Sequence, residues 1–324
     1  MKALGLLSGG LDSILAVKLV QNQGIDVVAV NFTSPFWSSD KNMNWVKEIA
    51  EKLKVPLINV KLKDDYLKII RKPKYGHGKN MNPCIDCKIL MLKRAKKIAK
   101  EIGASFIFTG EVLDERPMSQ HKKTLEIIEK ESCLGGKLLR PLSAKLLTET
   151  EGEKKNWVNR KKLLEIRGRQ RKKQTQLAKE FGIDKYPSPS GGCLLTYKEF
   201  SKKLKDLLEH KKIVKMEDIE LLKIGRHFRL GKNKIIVGRN ETENKQLLNM
   251  KKVNDYIFEV AEYNGPITIL QGPKTKEVTL KTAALTVRYS DSNEKALVKF
   301  GKELNKSMVV EPINEEEIER MRIV

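Results

Sequence analysis

Along the first half of the chain, short apolar runs alternate with segments of helical period. Residues 3–7, 25–30, 55–60 and 104–109 read as strands, and residues 14–20, 45–53, 88–102 and 119–130 as helices. This alternation predicts an α/β fold, a doubly wound parallel sheet with helices on both faces. Ligands of such sheets bind beyond the C-terminal ends of the strands. Residues 8–13, 31–35 and 109–111 fall there, so three loops are expected to meet at one crevice.

The pattern changes after residue 150. Residues 151–215 hold 19 Lys and Arg against 8 Asp and Glu, a net of +11 within a total of +23. Arg167, Arg169, Arg171, Lys172 and Lys173 are expected in or beside a helix running towards Phe181, and Tyr186-Pro-Ser-Pro-Ser-Gly-Gly then breaks regular structure. A charge run of this kind also suits a plain solvated helix face. From Met216 onward, residues 234–237, 267–270, 278–280 and 285–288 read as short strands, and 243–250 and 293–304 as helices. The expected organisation is a nucleotide-binding domain over 1–150, a basic helical connection over 151–215, and a smaller α+β domain over 216–324.

Composition narrows the class. The chain has 324 residues, 40% hydrophobic and 32% charged, enough apolar surface for two cores. No apolar run nears the roughly 20 residues of a membrane span, and the first residues lack the features of a secretory signal, so a cytoplasmic protein without a membrane partner is expected. The strong positive charge points to an anionic partner. Four cysteines are too few to staple a chain of this length, and a CxxC in a reducing compartment suggests metal binding or catalysis.

Ser8-Gly-Gly-Leu-Asp-Ser13 lies between a predicted strand and helix, where free backbone N–H groups and the helix dipole favour phosphate. The Lys of a Walker A loop is absent, so γ-phosphoryl transfer is not the natural reading. Asp12 is placed to help hold a Mg²⁺ ion on a pyrophosphate. Cys84-Ile-Asp-Cys87 follows Asn82-Pro83 at a helix start, and Cys193 in Ser190-Gly-Gly-Cys-Leu-Leu-Thr196 is the third thiol expected beside it. Cys133 reads as a small packing residue. The three thiols suit a 4Fe-4S cluster with one iron open, a persulfide and disulfide pair, or inert thiols; a zinc site would need Cys133 or His77 as fourth ligand.

The SGGLDS segment resembles the signature of the PP-loop pyrophosphatases, which cleave ATP between its α- and β-phosphates and leave an adenylated substrate. With Asn82-Pro-Cys-Ile-Asp-Cys87, Thr109-Gly-Glu111, Ser119-Gln120, Thr124-Leu125 and Leu139-Arg-Pro-Leu142, the first half is similar to the PP-loop tRNA thiouridine synthases. Residues 119–141 look more like the 4-thiouridine synthases, and Asn82-Pro-Cys more like the 2-thiouridylases. Residues 167–196 resemble a thiouridylase subgroup with a region similar to the RNA-binding domain of NFACT proteins, which residues 224–230 and 235–240 also match. The resemblance implies that Ser8, Gly9, Gly10, Asp12, Ser13, Asn31, Thr109 and Gly110 bind ATP, and that Asp12, Cys84, Cys87 and Cys193 are catalytic. It implies tRNA as partner, held by Arg167, Arg169, Arg171, Lys172 and Lys173 or by Arg226, His227, Arg229 and Arg239. The expected reaction makes 4-thiouridine at uridine 8, with 2-thiouridine at uridine 34 or 54 as alternative. Neither the THUMP domain nor the rhodanese segment of 4-thiouridine synthases is seen, so sulfide or a sulfur-donor protein is the expected source; a homodimer is also among the expectations. Two rival readings remain: a PP-loop amidotransferase or lysidine-type ligase, and a non-catalytic RNA-binding quality-control factor.

Overall fold

The computed structural model describes residues 1–37, 41–187, 192–292 and 294–324, without the side chains of residues 41–43. The chain forms two compact units, 1–196 and 197–324. The stretch 151–215 is therefore divided, with 151–196 in the first unit and 197–215 in the second. Ser188 to Gly191 of the Pro/Ser/Gly stretch, and Asn293, lie outside the described residues.

The first unit runs β1 (Lys2–Leu6), α1 (Leu11–Gln21), β2 (Asp26–Thr33), α2 (Lys41–Lys52), β3 (Leu57–Lys61), α3 (Asp64–Arg71), α4 (Cys84–Glu101), β4 (Phe106–Thr109), α5 (Lys122–Glu131), β5 (Leu138–Leu139), α6 (Glu151–Lys154) and α7 (Lys172–Glu180). Its five strands are ordered β3-β2-β1-β4-β5, all parallel, as the alternating pattern predicts. The central strands are apolar on both faces because helices cover both: Ala3, Val27 and Ala29 join a core with Ile14, Val17, Val46 and Ile49. The chain runs from β1 to β2 on one side and returns through β4 on the other. The order thus reverses between β1 and β4, which opens a crevice beyond their C-terminal ends.

The second unit continues with α8 (Lys198–His210), α9 (Met216–Leu221), β6 (Arg226–Leu230), β7 (Asn233–Val237), α10 (Glu241–Met250), β8 (Tyr256–Val260), β9 (Thr268–Gln271), α11 (Lys276–Arg288), β10 (Ala296–Gly301), β11 (Lys306–Val310) and α12 (Glu315–Met321). Its sheet is antiparallel, ordered β11-β10-β8-β9-β7-β6. Two sequence expectations are corrected here. Residues 278–280 and 285–288 are not strands but parts of α11, and the helix expected over 293–304 is strand β10. In α11 the β-branched residues that suggest strand are threonines whose hydroxyls donate to carbonyls one turn back: Thr279 to Thr275 at 2.8 Å, Thr282 to Val278 at 2.7 Å, and Thr286 to Thr282 at 2.8 Å. Thr275 caps the helix by accepting from the Val278 N–H. Among the described residues, no helix is long and apolar enough to cross a membrane.

Candidate nucleotide and thiol site

The turn after β1 is built for an anion. Gly9 adopts φ +78°, the left-handed region where glycine is favoured, and Gly10 caps α1 with no side chain bonded to the first-turn N–H groups. Those donors face the crevice with the positive end of the helix. Ser13 Oγ ties the turn together, donating to the Gly10 carbonyl at 2.7 Å and accepting from the Ser8 N–H at 3.3 Å. The Trp45 indole N–H donates to the Gly9 carbonyl at 2.9 Å from the far side. Gly110 closes the cradle from β4: a Cβ there would lie 2.5 Å from the Ser13 backbone nitrogen. Thr109 is buried just before it, and Asn31, buried on β2, donates its amide to Asn59 at 3.2 Å.

Asp12 stands behind the cradle on the first turn of α1. Its Oδ2 meets Arg171 at 3.3 Å, and the same guanidinium nitrogen reaches Glu115 Oε1 at 3.3 Å. Asp12 Oδ1 is buried on the side of Gln174. Burial, followed by the like charge of Glu115, pushes the Asp12 carboxyl up to about 6 in spite of Arg171. Gln174, fully buried on α7, brings its amide to Asp12 and works against that rise. Of the five basic residues at 167–173, Arg167, Arg169, Lys172 and Lys173 are exposed, and Arg171 alone turns inward to these carboxylates. Glu115 and Gln174 carry no motif that would single them out in the sequence.

A buried ion network joins this crevice to α4. Glu111, directly after Gly110, accepts from Thr109 Oγ1 at 3.0 Å and Arg140 Nε at 3.1 Å, and lies 3.3 Å from Lys88 Nζ. Arg140 also pairs with Glu129. Burial alone would raise the Glu111 carboxyl, but the Lys88 and Arg140 charges hold it below its ordinary value.

Lys88 follows Cys87 in the first turns of α4, and there the thiols gather. Cys84, Cys87 and Cys193 share the surroundings of Tyr66, whose buried hydroxyl hydrogen-bonds the Cys87 sulfur. Cys193 reaches this nest through a bridge with Trp37, the residue beyond β2, and the adjacent Leu194 N–H donates to the Phe36 carbonyl at 2.7 Å. Phe36 and Trp37 pack on the Tyr66 ring at 5.6 and 6.2 Å. Asn82 donates its amide to Cys84 Sγ at 3.2 Å. Asn80 donates to the Thr196 carbonyl at 2.7 Å, tying the two cysteine loops together. Burial pushes the Cys87 thiol up to about 11 and the Cys193 thiol up to about 12.

Two expectations about cysteine and histidine change. Cys133 is exposed at the end of α5 with φ +54°, so it is not a packing residue. Its carbonyl accepts from Lys96, nine residues along α4 from Cys87, roughly 13 Å at 1.5 Å per residue. His77 Nε2 is engaged with the Ile70 carbonyl at 2.8 Å. Among the described residues, no three His, Cys, Asp or Glu side chains are arranged to hold a metal ion. In the second unit His227 is buried, with burial holding its ring neutral, and is not a surface contact for phosphate.

The fold and cradle define a class: a doubly wound α/β domain with a glycine turn suited to an anion between its first and fourth strands, followed by an antiparallel-sheet domain. Residues 1–146 match the family described as thiamine biosynthesis protein (ThiI), and residues 225–322 match the NFACT protein RNA binding domain. Both resemblances drawn from the motifs are thereby borne out. A probable tRNA sulfurtransferase of Thermococcus kodakarensis is 33% identical over 44% of this chain and 36% of its own length. The tRNA-specific 2-thiouridylase MnmA of Clostridium perfringens is 31% identical over 32% of this chain and 33% of its own. A 4-thiouridine synthetase solved with RNA and ATP overlaps 68% of this chain and 52% of its own at 22% identity and a TM-score of 0.40. The chain thus spans about a third of the length of these curated relatives.

Proposed function

We propose that this protein is an ATP-dependent tRNA sulfurtransferase that adenylates a uridine carbonyl and replaces its oxygen by sulfur. One observation carries the reading: the phosphate cradle and three thiols stand at the same edge of one sheet, joined through Gly110, Glu111 and Lys88. A uridine carbonyl oxygen is a poor leaving group, and adenylation converts it to AMP, which sulfur can displace. The N–H groups of the Gly9 turn and the α1 terminus bind the pyrophosphate. Asp12 and Glu115 suit the one or two carboxylates that Mg²⁺ takes beside phosphate oxygens. Mg²⁺ there would neutralise charge on the departing pyrophosphate. Arg171 holds the two carboxylates together until the nucleotide enters.

Cys84, Cys87 and Cys193 are the residues that would hold a 4Fe-4S cluster, since all three lie around Tyr66 and three protein thiolates leave one iron open. Such a cluster would supply an iron open to hydrosulfide. Metal ligation would also deprotonate thiols that burial otherwise keeps protonated. The resemblance of residues 119–141 to the 4-thiouridine synthases favours C4 of uridine 8; the 31% likeness to a 2-thiouridylase makes C2 the second reading. The test incubates the protein anaerobically with tRNA, ATP and sulfide, then resolves nucleotides and nucleosides. AMP, pyrophosphate and 4-thiouridine are expected. ADP and phosphate as products would refute the adenylation, and 2-thiouridine would move the reaction to C2.

A further inference from the structure

The second unit contains a cavity of about 150 Å³ outside everything described so far. Its floor is one face of the β6–β7 hairpin, where His227 pairs with Ile236 and Arg229 with Lys234, and its walls come from α8 and α9. Those helices precede the segment that matches the RNA-binding family.

The lining is unbalanced in charge. Asp206 lies between Arg229 and Lys234, each at 2.7 Å, and Asp218 between Lys211 at 2.5 Å and Lys252 at 2.6 Å. Four cations of the lining, Lys211, Arg229, Lys234 and the exposed Lys232 on the rim, thus face Asp218 and the adjoining Asp206, an excess of +2, while Lys252 stands outside the lining with Asp255 near it. A partly buried excess of like charge is costly unless an anion joins it. Lys234 is 7% exposed, and Asp206 uses one of the three donors of its ammonium group. Burial lowers the Lys234 amine to about 8 in spite of Asp206.

A second observation specifies more than an anion. His227 is 1% exposed, and its Nε2 lies 2.7 Å from the Ile224 carbonyl, so Nε2 carries the proton. Nδ1 is then an acceptor, and it is buried without a partner. A fully ionised phosphate cannot satisfy it, but a hydroxyl can. We propose that this cavity binds a phosphate of an RNA strand together with the neighbouring ribose 2′-hydroxyl, the ammonium and guanidinium groups taking the phosphate and His227 Nδ1 the hydroxyl. The 2′-hydroxyl is the group that separates RNA from DNA.

The test uses the full chain and one labelled single-stranded oligonucleotide in RNA and DNA forms, with anisotropy read across a salt series. Lys232→Gln and Lys234→Gln should each weaken RNA binding about tenfold and lower the salt slope by about 0.7, the increment for one single-strand phosphate. His227→Phe should shrink the preference for RNA over DNA. Lys232 is on the rim, so its variant keeps the fold even if the Lys234 variant melts early. Unchanged affinity and slope in both lysine variants would overturn the proposal. So would AMP binding that depends on these lysines while RNA binding does not, since the cavity would then serve a free nucleotide. The proposal rests on RNA as the partner: wild-type protein that binds no RNA would sink that reading too, whereas wild-type binding insensitive to the lysines sinks only this cavity.

Discussion

Asp12 carries opposing demands in one carboxyl. Because its folded value, about 6, lies above the ordinary 3.8, the native state holds more protons than the unfolded chain between those values. Stability therefore falls as pH rises through that window, by about 3 kcal/mol at 1.36 kcal/mol per unit. Asp12→Asn is expected to melt later than wild type at pH 7.5, to lose that advantage near pH 4, and to form no AMP. Thermal melts across pH, with thin-layer analysis of nucleotides, check both halves. Glu111 has the opposite sign. Held below the ordinary 4.5, it contributes stability that is present above that value and lost as pH falls. Glu111→Gln leaves Arg140, which is 3% exposed, short of a carboxylate, and should cost about 3 kcal/mol in denaturant unfolding at pH 7.

At the scale of elements, α4 brings two thiols of the CxxC to the sheet edge, and the strand-like bridge at Trp37 brings the third. Ala variants of Cys84, Cys87 and Cys193 purified anaerobically should each lose bound iron and thiolation while retaining ATP binding. Cys133→Ala should retain all three, because that cysteine is exposed beyond α5 and its carbonyl meets Lys96, roughly 13 Å along α4 from Cys87. Iron and sulfide analysis decides the matter, and full thiolation by iron-free protein would instead favour the persulfide route. The spacing of the CxxC shows its pairing directly, since residues three apart lie on one helix face. Cys193 is more than a hundred residues away, and only the packing of its loop against Phe36 and Trp37 brings it there. The same limit explains α11. Its β-branched residues read as strand in isolation, yet a buried helix satisfies the threonine hydroxyls internally.

Over the whole molecule the net charge of +23 favours an anionic partner, and the tRNA binding proposed above should weaken steeply with salt. Replacing Arg167, Arg169, Lys172 and Lys173 by Gln should flatten the salt slope for tRNA by about 0.9 for each phosphate left without its cation. Arg171→Ala should leave that slope unchanged and instead weaken the hold on ATP, since its guanidinium faces Asp12 and Glu115. A filter-binding salt series set beside ATP titrations separates the two. If Arg171→Ala flattened the slope and left ATP binding untouched, the inward placement would not be the one that functions in solution.

Local sequence determined the strand–helix alternation, the parallel sheet and the phosphate turn. Each rests on short-range physics: side-chain period, the freedom of Gly9 at positive φ, and free N–H groups at a helix start. It also determined which cysteines to suspect. Only tertiary structure decided that Arg171 points inward among four outward neighbours, that Glu115 and Gln174 stand beside Asp12, and that Cys133 is exposed. It alone placed His227 and Lys234 at the floor of a cavity. Composition treats five neighbouring basic residues alike, and the energy that separates them comes from burial and from charges contributed by distant parts of the chain.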